Sequence, residues 1–444
     1  MFDVIIIGGG PAGYIAAINC AKNGFKVACI EKQKLLGGSC LNVGCIPSKT
    51  LLDISHKFSS VNDCQDEGIV VDNISINIAQ MMATKTKRLT TLAGGIEILF
   101  KKHKIEHIFG EAKFIDNNTV MVEKNELKAK NFIIATGSVP MIFDNFKVDE
   151  KIVCTSTGAL SLVSVPKKMF VVGAGFIGIE LGCVWSRLGA DVTVIEYGDR
   201  IMPSMDNEIS IKAQKIFEKQ GLKFMLNTKI NNIYTKGKKG VVETENETLL
   251  SDIILVSTGR KPCTDGINID IKKDSKGFII VDKNYKTSVN NIYAIGDVIG
   301  GQMLAHKAEH EAIAVSEILS GRAGHINYNL IPGIVYTNPE IASIGKTEEE
   351  LKKAGIEYKI GKSNMSTNSR SQAVGRTDGM VKILADSKTD RVLGAHIIGV
   401  EAGNMIHEIA VLMEFFGSGQ DLAMICHGHP TFNEAVKDAA INLK

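Results

Sequence analysis

No charge of one sign dominates this sequence of 444 residues: 51 basic side chains stand against 49 acidic ones, a formal balance of +2. That balance offers no electrostatic footprint for nucleic acid or an anionic membrane surface, and neither is expected as a partner. Cysteine is sparse too. Nine cysteines in 444 residues fall far below the density of small secreted disulfide scaffolds. Most are expected to be buried thiols in a reducing compartment, which gives a cytoplasmic expectation, and any disulfide needs a catalytic reason. Long hydrophobic runs are missing as well. Val4 to Ala21 contains 18 residues without a charge, but Asp3 precedes it, no basic segment leads it, and Gly8, Gly9, Gly10 and Pro11 interrupt it. A strand, a turn and a helix account for it better than a membrane span or a signal. With the first strand expected from Phe2, neither a transit peptide nor a fused amino-terminal domain is expected.

What is present is globular. A hydrophobic content of 44% with 23% charged residues suits a folded protein, and 444 residues exceed one ordinary core, so two to four domains are expected. Phe2–Ile7 reads as a fully buried strand. Gly8, Gly10 and Gly13 follow it, then a helix to Lys22 and a second strand, Lys26–Ile30, ending in Glu31. This is the dinucleotide fingerprint. The first glycine permits the tight turn, the second lets the backbone approach a pyrophosphate, and the third lets helix pack on strand. The helix amino terminus offers N–H groups and a positive dipole end to the phosphates. Glu31 can accept hydrogen bonds from an adenosine ribose.

The pattern then repeats. Gly173, Gly175 and Gly178 precede a strand Asp191–Ile195 ending in Glu196, and each stands 165 residues after its counterpart, as does Gly189 after Gly24. One glycine-rich turn is a weak signal; two with matching strand, helix and acid are a strong one. Two dinucleotides in one chain suggest electrons passing between them. A carboxylate at Glu196 suits a free ribose 2′-OH and repels a 2′-phosphate, so NAD is favoured over NADP. Arg200, four residues on and without a companion arginine, reads as a surface charge.

Gly37-Gly38-Ser39-Cys40-Leu41-Asn42-Val43-Gly44-Cys45-Ile46-Pro47-Ser48-Lys49 is the most informative segment. Its cysteines could ligate zinc, but no second ligand pair at matching spacing exists. They could be unrelated buried thiols. Against that, Pro47 and the apolar run to Leu52 suggest a helix starting just after Cys45. Its dipole would favour a thiolate there, and a redox-active pair is the preferred reading. Cys20, Cys29, Cys183 and Cys426 lie in apolar surroundings and are expected to be buried; Cys64, in a polar stretch, has no assignment.

The segment resembles the redox-active motif of the class I pyridine nucleotide-disulfide oxidoreductases, over essentially the whole chain, and most closely their dihydrolipoamide-oxidising branch. The resemblance implies FAD at the first fingerprint and NAD at the second. It implies that Cys45 lies nearer the flavin while Cys40 exchanges with substrate, that Lys49 lies near the flavin N5, and that Glu180 pairs with Lys49. Ala135-Thr136-Gly137 and Ser257-Thr258-Gly259-Arg260, each ending a strand (Phe132–Ile134 and Ile253–Val256), would close the two sites through Thr136 and Gly137 for FAD and Gly259 for NAD. The strand leading to Gly296-Asp297-Val298 would deliver Asp297 to the flavin ribityl or pyrophosphate, a capping aspartate being the bland alternative. Leu304-Ala305-His306 would start a helix under the flavin ring, at Ala305.

From about Leu330 the composition shifts to strand segments, Gly379–Leu384 and Val392–Val400, then a helix from Ala402 to Glu414. In Cys426-His427-Gly428-His429-Pro430-Thr431-Phe432-Asn433-Glu434, His429 resembles the family's catalytic base and Glu434 the acid that sets its tautomer. Phe432, Asn433 and Asn338 depart from the family's wording, in ways expected to touch packing more than roles. In the family this base reaches the disulfide of the other subunit, so a homodimer is expected.

The expected fold class is α/β, with two Rossmann-like dinucleotide-binding domains and an α+β carboxy-terminal dimerisation domain. The expected boundaries are 1–142 for FAD, 143–262 for NAD, 263–329 for a central domain completing the FAD site, and 330–444 for the dimer interface. The implied activity is NAD-dependent oxidation of protein-bound dihydrolipoamide, within 2-oxoacid dehydrogenase or glycine cleavage complexes. The implied partners are lipoyl domains and the subunit-binding domain of a dihydrolipoyl acyltransferase. Reductases of the glutathione type share disulfide and base but use NADP, against Glu196. Mercuric reductases carry a carboxy-terminal cysteine pair that Ala439-Ala440-Ile441-Asn442-Leu443-Lys444 lacks. Soluble transhydrogenases lack the paired cysteines. A non-catalytic assembly subunit is the alternative from another class, and Cys40, Cys45, His429 and Glu434 argue against it.

Overall fold

The computed structural model describes residues 1–444, the side chains of Asn62, Asp63, Gln65 and Asp66 excepted. Its contacts define two units: Met1–Thr50, Asn77–Met141 and Thr258–Ile326 form the first, and Leu51–Ile76, Ile142–Ser257 and Asn327–Lys444 the second.

In the first unit a parallel sheet runs Glu106–Phe109, Val27–Glu31, Phe2–Ile7, Asn125–Ile134, Ile292–Ala294. Phe2–Ile7 is apolar apart from Asp3 because both its faces are covered. Val4 and Ile6 enter one core cluster, Ile5 and Ile7 the other. The helix Pro11–Lys22 packs its small residues, Gly13, Ala16 and Ala17, into this core and lies against the helix Ala305–Leu319. The uncharged run Val4 to Ala21 is thus a strand, a turn and a helix. Among the described residues no helix is long and apolar enough to cross a membrane. Asn125–Ile134 is longer than the expected Phe132–Ile134. Its first half, largely polar and exposed, pairs antiparallel with Thr119–Val122, which in turn pairs with Ala112–Asp116.

The second unit repeats the design. A five-stranded parallel sheet runs Lys223–Met225, Asp191–Ile195, Lys168–Val172, Ile253–Val256, Val153–Cys154, and the helix Phe176–Arg187 joins its two fingerprint strands. Its carboxy-terminal part is a five-stranded antiparallel sheet, Gly333–Val335, Glu340–Gly345, Val392–Gly399, Met380–Asp386, Tyr358–Asn364. The helices Ala402–Glu414 and Glu434–Ile441 pack on it.

A buried charge cluster ties the helix Asn207–Lys219 to this antiparallel sheet. Lys382, wholly buried, donates to both carboxylate oxygens of Asp206 at 3.0 Å and to Glu348 at 2.6 Å. Asp206 is also the cap of that helix, accepting from the Glu208 N–H. Burial pushes Glu348 up, but bonds from Lys352 and Lys382 outweigh it and hold the carboxyl down at about 2. Burial likewise opposes ionisation of Asp206, and the charges of His396 and Lys382 overcome it, leaving Asp206 below its ordinary value.

Removing one partner of a buried pair leaves an uncompensated charge, at roughly 3–5 kcal/mol. Lys382→Met is therefore expected to lower the free energy of unfolding, measured by urea titration at neutral pH, by an amount in that range. A depressed carboxylate contributes stability that is full above its unfolded value of 4.5 and lost as pH falls toward about 2. The gap between wild type and variant should accordingly narrow across that window. A gap that is constant through it would contradict the role given to the carboxylates.

Candidate active site

The two glycine turns show why each glycine is there. Gly8 and Gly173 have φ of +107° and +99°, a region that side chains avoid. A Cβ on Gly13 would fall 1.7 Å from the carbonyl oxygen of Gly8, and one on Gly178 would fall 2.1 Å from that of Gly173. The helix touches the strand there. Gly10 and Gly175 are different. Their φ values, −73° and −74°, suit any residue, and a Cβ on Gly10 would meet only the Gly38 Cα at 3.7 Å. A Cβ on Gly175 would meet nothing within 4 Å. Neither the backbone nor the packing of this chain demands glycine at these two places. Space kept open before a helix amino terminus is what a dinucleotide pyrophosphate requires, and the residues fit that group at both turns.

The acids repeat with the same fidelity. Glu31 accepts from the Gly9 and Gln33 N–H groups at 2.7 and 2.8 Å. Glu196 accepts from Ala174 and Gly198 at the same two distances. Each carboxylate braces its glycine turn and keeps acceptor capacity for a ribose. Arg200 is turned aside, toward Pro203 O at 3.1 Å and Asn207 Oδ1 at 3.4 Å.

The cysteine segment is built onto the first turn. Gly37 donates its N–H to Gly9 O at 2.8 Å, and a Cβ on Gly38 would fall 2.6 Å from the Gly10 Cα. Cys40 then sits in a short helix, Gly38–Val43, that the sequence did not announce, and Cys45 opens the helix Cys45–Asp63. Both are partly buried thiols. The hydrogen bond with Cys45, then burial, then the charge of Cys45, push the Cys40 thiol far above the ordinary range, while the Lys49 ammonium opposes them. Glu180, buried in the helix Phe176–Arg187, accepts from the Tyr336 N–H at 3.0 Å. It belongs to the second unit and Lys49 to the first.

Asp297 lies in the 3-10 turn Gly296–Ile299 and makes no capping bond there. Its Oδ2 accepts from Ser138 Oγ at 2.5 Å, and Arg260 Nε, 4.0 Å away, also donates to Ser138 Oγ at 2.7 Å. Lys307 and Glu311, wholly buried and 3.0 Å apart, clamp the same turn: Lys307 donates to Gly296 O and Gly300 O, and Glu311 accepts from Gly296 N. Ala305 starts the helix Ala305–Leu319, whose cap residue Leu304 supplies no side-chain bond. Thr136 donates to Cys263 O at 2.6 Å, and at Gly137 (φ +71°) a Cβ would meet nothing within 4 Å. Gly259, with φ +116°, stands in the first unit while the second fingerprint stands in the second. Ser138, Arg260, Lys307 and Glu311 went unrecognised in the sequence. The i,i+4 spacing of Lys307 and Glu311 inside an apolar helix was the one available signal.

In the second unit His429 Nδ1 lies 2.8 Å from Glu434 Oε1. The Thr431 N–H, followed by His429, holds the Glu434 carboxyl below its ordinary value. The ionised acid can only accept, so Nδ1 carries the proton and Nε2 is left as a base. The departures Phe432 and Asn338 do touch packing, against Arg370 and near His56 Nδ1. Asn433 does more, as its side chain bonds Glu408. Cys426 is exposed rather than buried, because its stretch lies on a bare surface of the chain; Cys64 donates to Ser60 O.

Residues 2–312 match the pyridine nucleotide-disulphide oxidoreductase family and residues 331–440 the dimerisation domain of that family. The chain belongs to the pyridine nucleotide-disulphide oxidoreductases. It is 47% identical to the mitochondrial dihydrolipoyl dehydrogenase of Pisum sativum, across 99% of this chain and 91% of that one. It is 45% identical to the leghemoglobin reductase of Glycine max, across 99% and 87%. The solved HOCl-induced flavoprotein disulfide reductase of Escherichia coli superposes with a TM-score of 0.90 at 26% identity, with both chains covered fully. FAD and NAD are the cofactors of this family, and its dimerisation domain supports a homodimer.

Gly175→Val tests the second turn. A Cβ at Gly175 meets nothing within 4 Å, so the variant is expected to fold and retain FAD. The KM for NAD should rise about tenfold or more, equivalent to at least ~1.4 kcal/mol of lost binding. An unchanged KM in a folded variant would show that the open space at Gly175 is not where NAD binds.

Proposed function

We propose that the chain is a dihydrolipoamide dehydrogenase, oxidising protein-bound dihydrolipoamide to lipoamide and reducing NAD to NADH. The observation that carries the proposal is the pair Cys40 and Cys45, close enough to hydrogen-bond, on a segment bonded to the first dinucleotide turn and beside Lys49. Identity of 46–47% to dihydrolipoyl dehydrogenases across nearly the whole chain supports it.

The chemistry begins with a substrate thiol, mostly protonated at neutral pH because an ordinary thiol has a pKa of about 8.5. His429 Nε2 takes that proton, and Glu434 steadies the imidazolium through Nδ1. The substrate thiolate attacks Cys40 Sγ. A bond forms between the two sulfurs as the Cys40–Cys45 disulfide breaks, and Cys45 departs as a thiolate favoured by its helix amino terminus and by Lys49. The second substrate thiol, deprotonated in turn, closes the substrate disulfide and displaces Cys40. One proton ends on Cys40 and the other leaves by way of His429, so the substrate has lost two electrons and two protons. Bound FAD supplies the relay that carries the two electrons from the cysteine pair to NAD. Asp297, braced by Ser138, would hold the flavin's ribityl chain, Thr136, Gly137 and Ala305 would line the same site, and Glu180 would pair with Lys49. Glu31 and Glu196 would each take a ribose hydroxyl, and Gly259 would close the NAD site.

His429 acts on the cysteine pair of a second copy. Its side chain is 68% exposed, and Phe415, Phe416 and Met424 of the same domain are bare apolar surface, which supports burial against another subunit. The domain boundaries follow at 142/143, 262/263 and 329/330. Lipoyl domains and the subunit-binding domain of a dihydrolipoyl acyltransferase are the partners. A cytoplasmic location stands against the mitochondrial designation of the pea relative, and cell fractionation decides between them.

Loss of a general base typically lowers a rate 10²–10⁴-fold, and His429→Ala is expected to depress dithiol oxidation by about that factor. NADH oxidation by an artificial one-electron acceptor, which bypasses the disulfide, should persist. Mixing inactive Cys40→Ser and inactive His429→Ala subunits gives dimers with one doubly defective site and one intact site. About half of wild-type activity per mixed dimer is expected, with subunit exchange confirmed by mass. No recovery would refute the shared site.

A further inference from the structure

Phe432 anchors the far end of the base-carrying loop against the apolar core of the domain, but the stretch around the base has little packing in this chain. Met424, Ile425, Cys426, Gly428, His429 and Pro430 are all exposed in this chain, so the position of His429 depends on a few hydrogen bonds. Within the loop, Thr431 donates its hydroxyl to Gly428 O at 2.8 Å and its N–H to Glu434 Oε2 at 2.9 Å. His427 Nδ1 lies 3.0 Å from Ile425 O. These bonds shape the loop, and the one to Glu434 ties its far end to the start of the helix Glu434–Ile441.

Further attachment comes from outside the loop. Asn368 donates to Thr431 O at 2.9 Å, at the middle of the loop. Both ends converge on one carboxylate of the helix Ala402–Glu414: Glu408 Oε1 lies 2.6 Å from His427 Nε2, and Glu408 Oε2 accepts from Asn433 Nδ2 at 2.6 Å. His427 stands two residues before the base, and Asn433 one residue before the acid that orients it. Asn433 is the cap residue of the helix Glu434–Ile441 yet makes no capping bond. Its backbone there is already helical (φ −63°, ψ −21°), and its side chain is turned to Glu408 instead.

We infer that Glu408 is a positioning residue for the base: by bridging His427 and Asn433 it staples both ends of the loop, and dithiol oxidation depends on it. The inference rests on the reading of His429 as the base. A reacting group displaced by 1 Å can lose about 10²-fold in rate, so the setting of this loop is worth such a factor.

Glu408→Ala is expected to lower kcat for dihydrolipoamide oxidation on the order of 10–100-fold with little change in KM, the signature of lost transition-state alignment. NADH oxidation by ferricyanide, a route that involves none of these residues, should stay at the wild-type rate, and light scattering should show an intact dimer. Glu408→Gln can keep every bond. Its amide oxygen accepts from Asn433 and its amide nitrogen donates to His427 Nε2, whose ring proton then points at Ile425 O. It should therefore restore kcat to within about threefold of wild type, as expected when geometry rather than charge is conserved. Asn433→Ala, which cuts one arm and spares the other, should show a smaller loss of the same kind. The inference is overturned by a wild-type kcat in Glu408→Ala, by equal loss of the ferricyanide route, by dissociation of the dimer, or by a Gln variant as impaired as Ala. If His429→Ala itself leaves dithiol oxidation unchanged, the fault lies with the functional reading and not with the staple.

Discussion

A pyrophosphate can reach a protein backbone only where no side chain stands in the way and where helix and strand meet closely enough to aim N–H groups outward. That constraint shapes both dinucleotide turns of this chain. The third glycine brings helix onto strand, the first reverses the chain, and the second leaves open the space that the other two prepare. Glu31 and Glu196 then lock each turn through backbone N–H groups at matching distances. The first turn does one thing more. Gly37 and Gly38 bond and pack against Gly9 and Gly10, so the thiol pair is hung from the first dinucleotide turn.

Other parts of the site are held by polar contacts between residues remote in sequence. Asp297 is held through Ser138, 159 residues away, and the turn that carries it is gripped by the buried pair Lys307–Glu311. Lys382 reaches Asp206 across 176 residues. Buried ion pairs are weak sources of net stability, because desolvation offsets much of their attraction. Their contribution here is geometric. Each fixes a turn or a cap that apolar packing alone would leave free to shift, next to residues assigned to cofactor binding or to the core of the interface domain.

How much of this was legible in the sequence depends on range. The strand Phe2–Ile7, the helix ending at Lys22 and the strand Asp191–Ile195 could be read from local hydrophobicity and glycine spacing, and all three stand as expected. Cys40 with Cys45, and His429 with Glu434, could be singled out because each pair stands five residues apart in the sequence. Ser138, Arg260 and Glu408 were not, since their partners lie dozens to hundreds of residues away and no local pattern marks them. Asn433 illustrates the boundary. The sequence exposed it as a departure, but only the structure shows its side chain reaching Glu408. Cys426 misled for a related reason: an apolar neighbourhood signals burial, and in this chain that neighbourhood is itself exposed.

The central claim is that electrons from the dithiol enter through the cysteine pair before they reach the flavin. An anaerobic titration of the FAD-loaded protein with dihydrolipoamide tests it most directly. The first equivalent per subunit should produce two protein thiols and a long-wavelength absorbance band from the Cys45 thiolate beside oxidised flavin, with little loss of flavin colour. The band should be absent in Cys45→Ser. Bleaching of the flavin by the first equivalent, with no band and no new thiols, would contradict the claim.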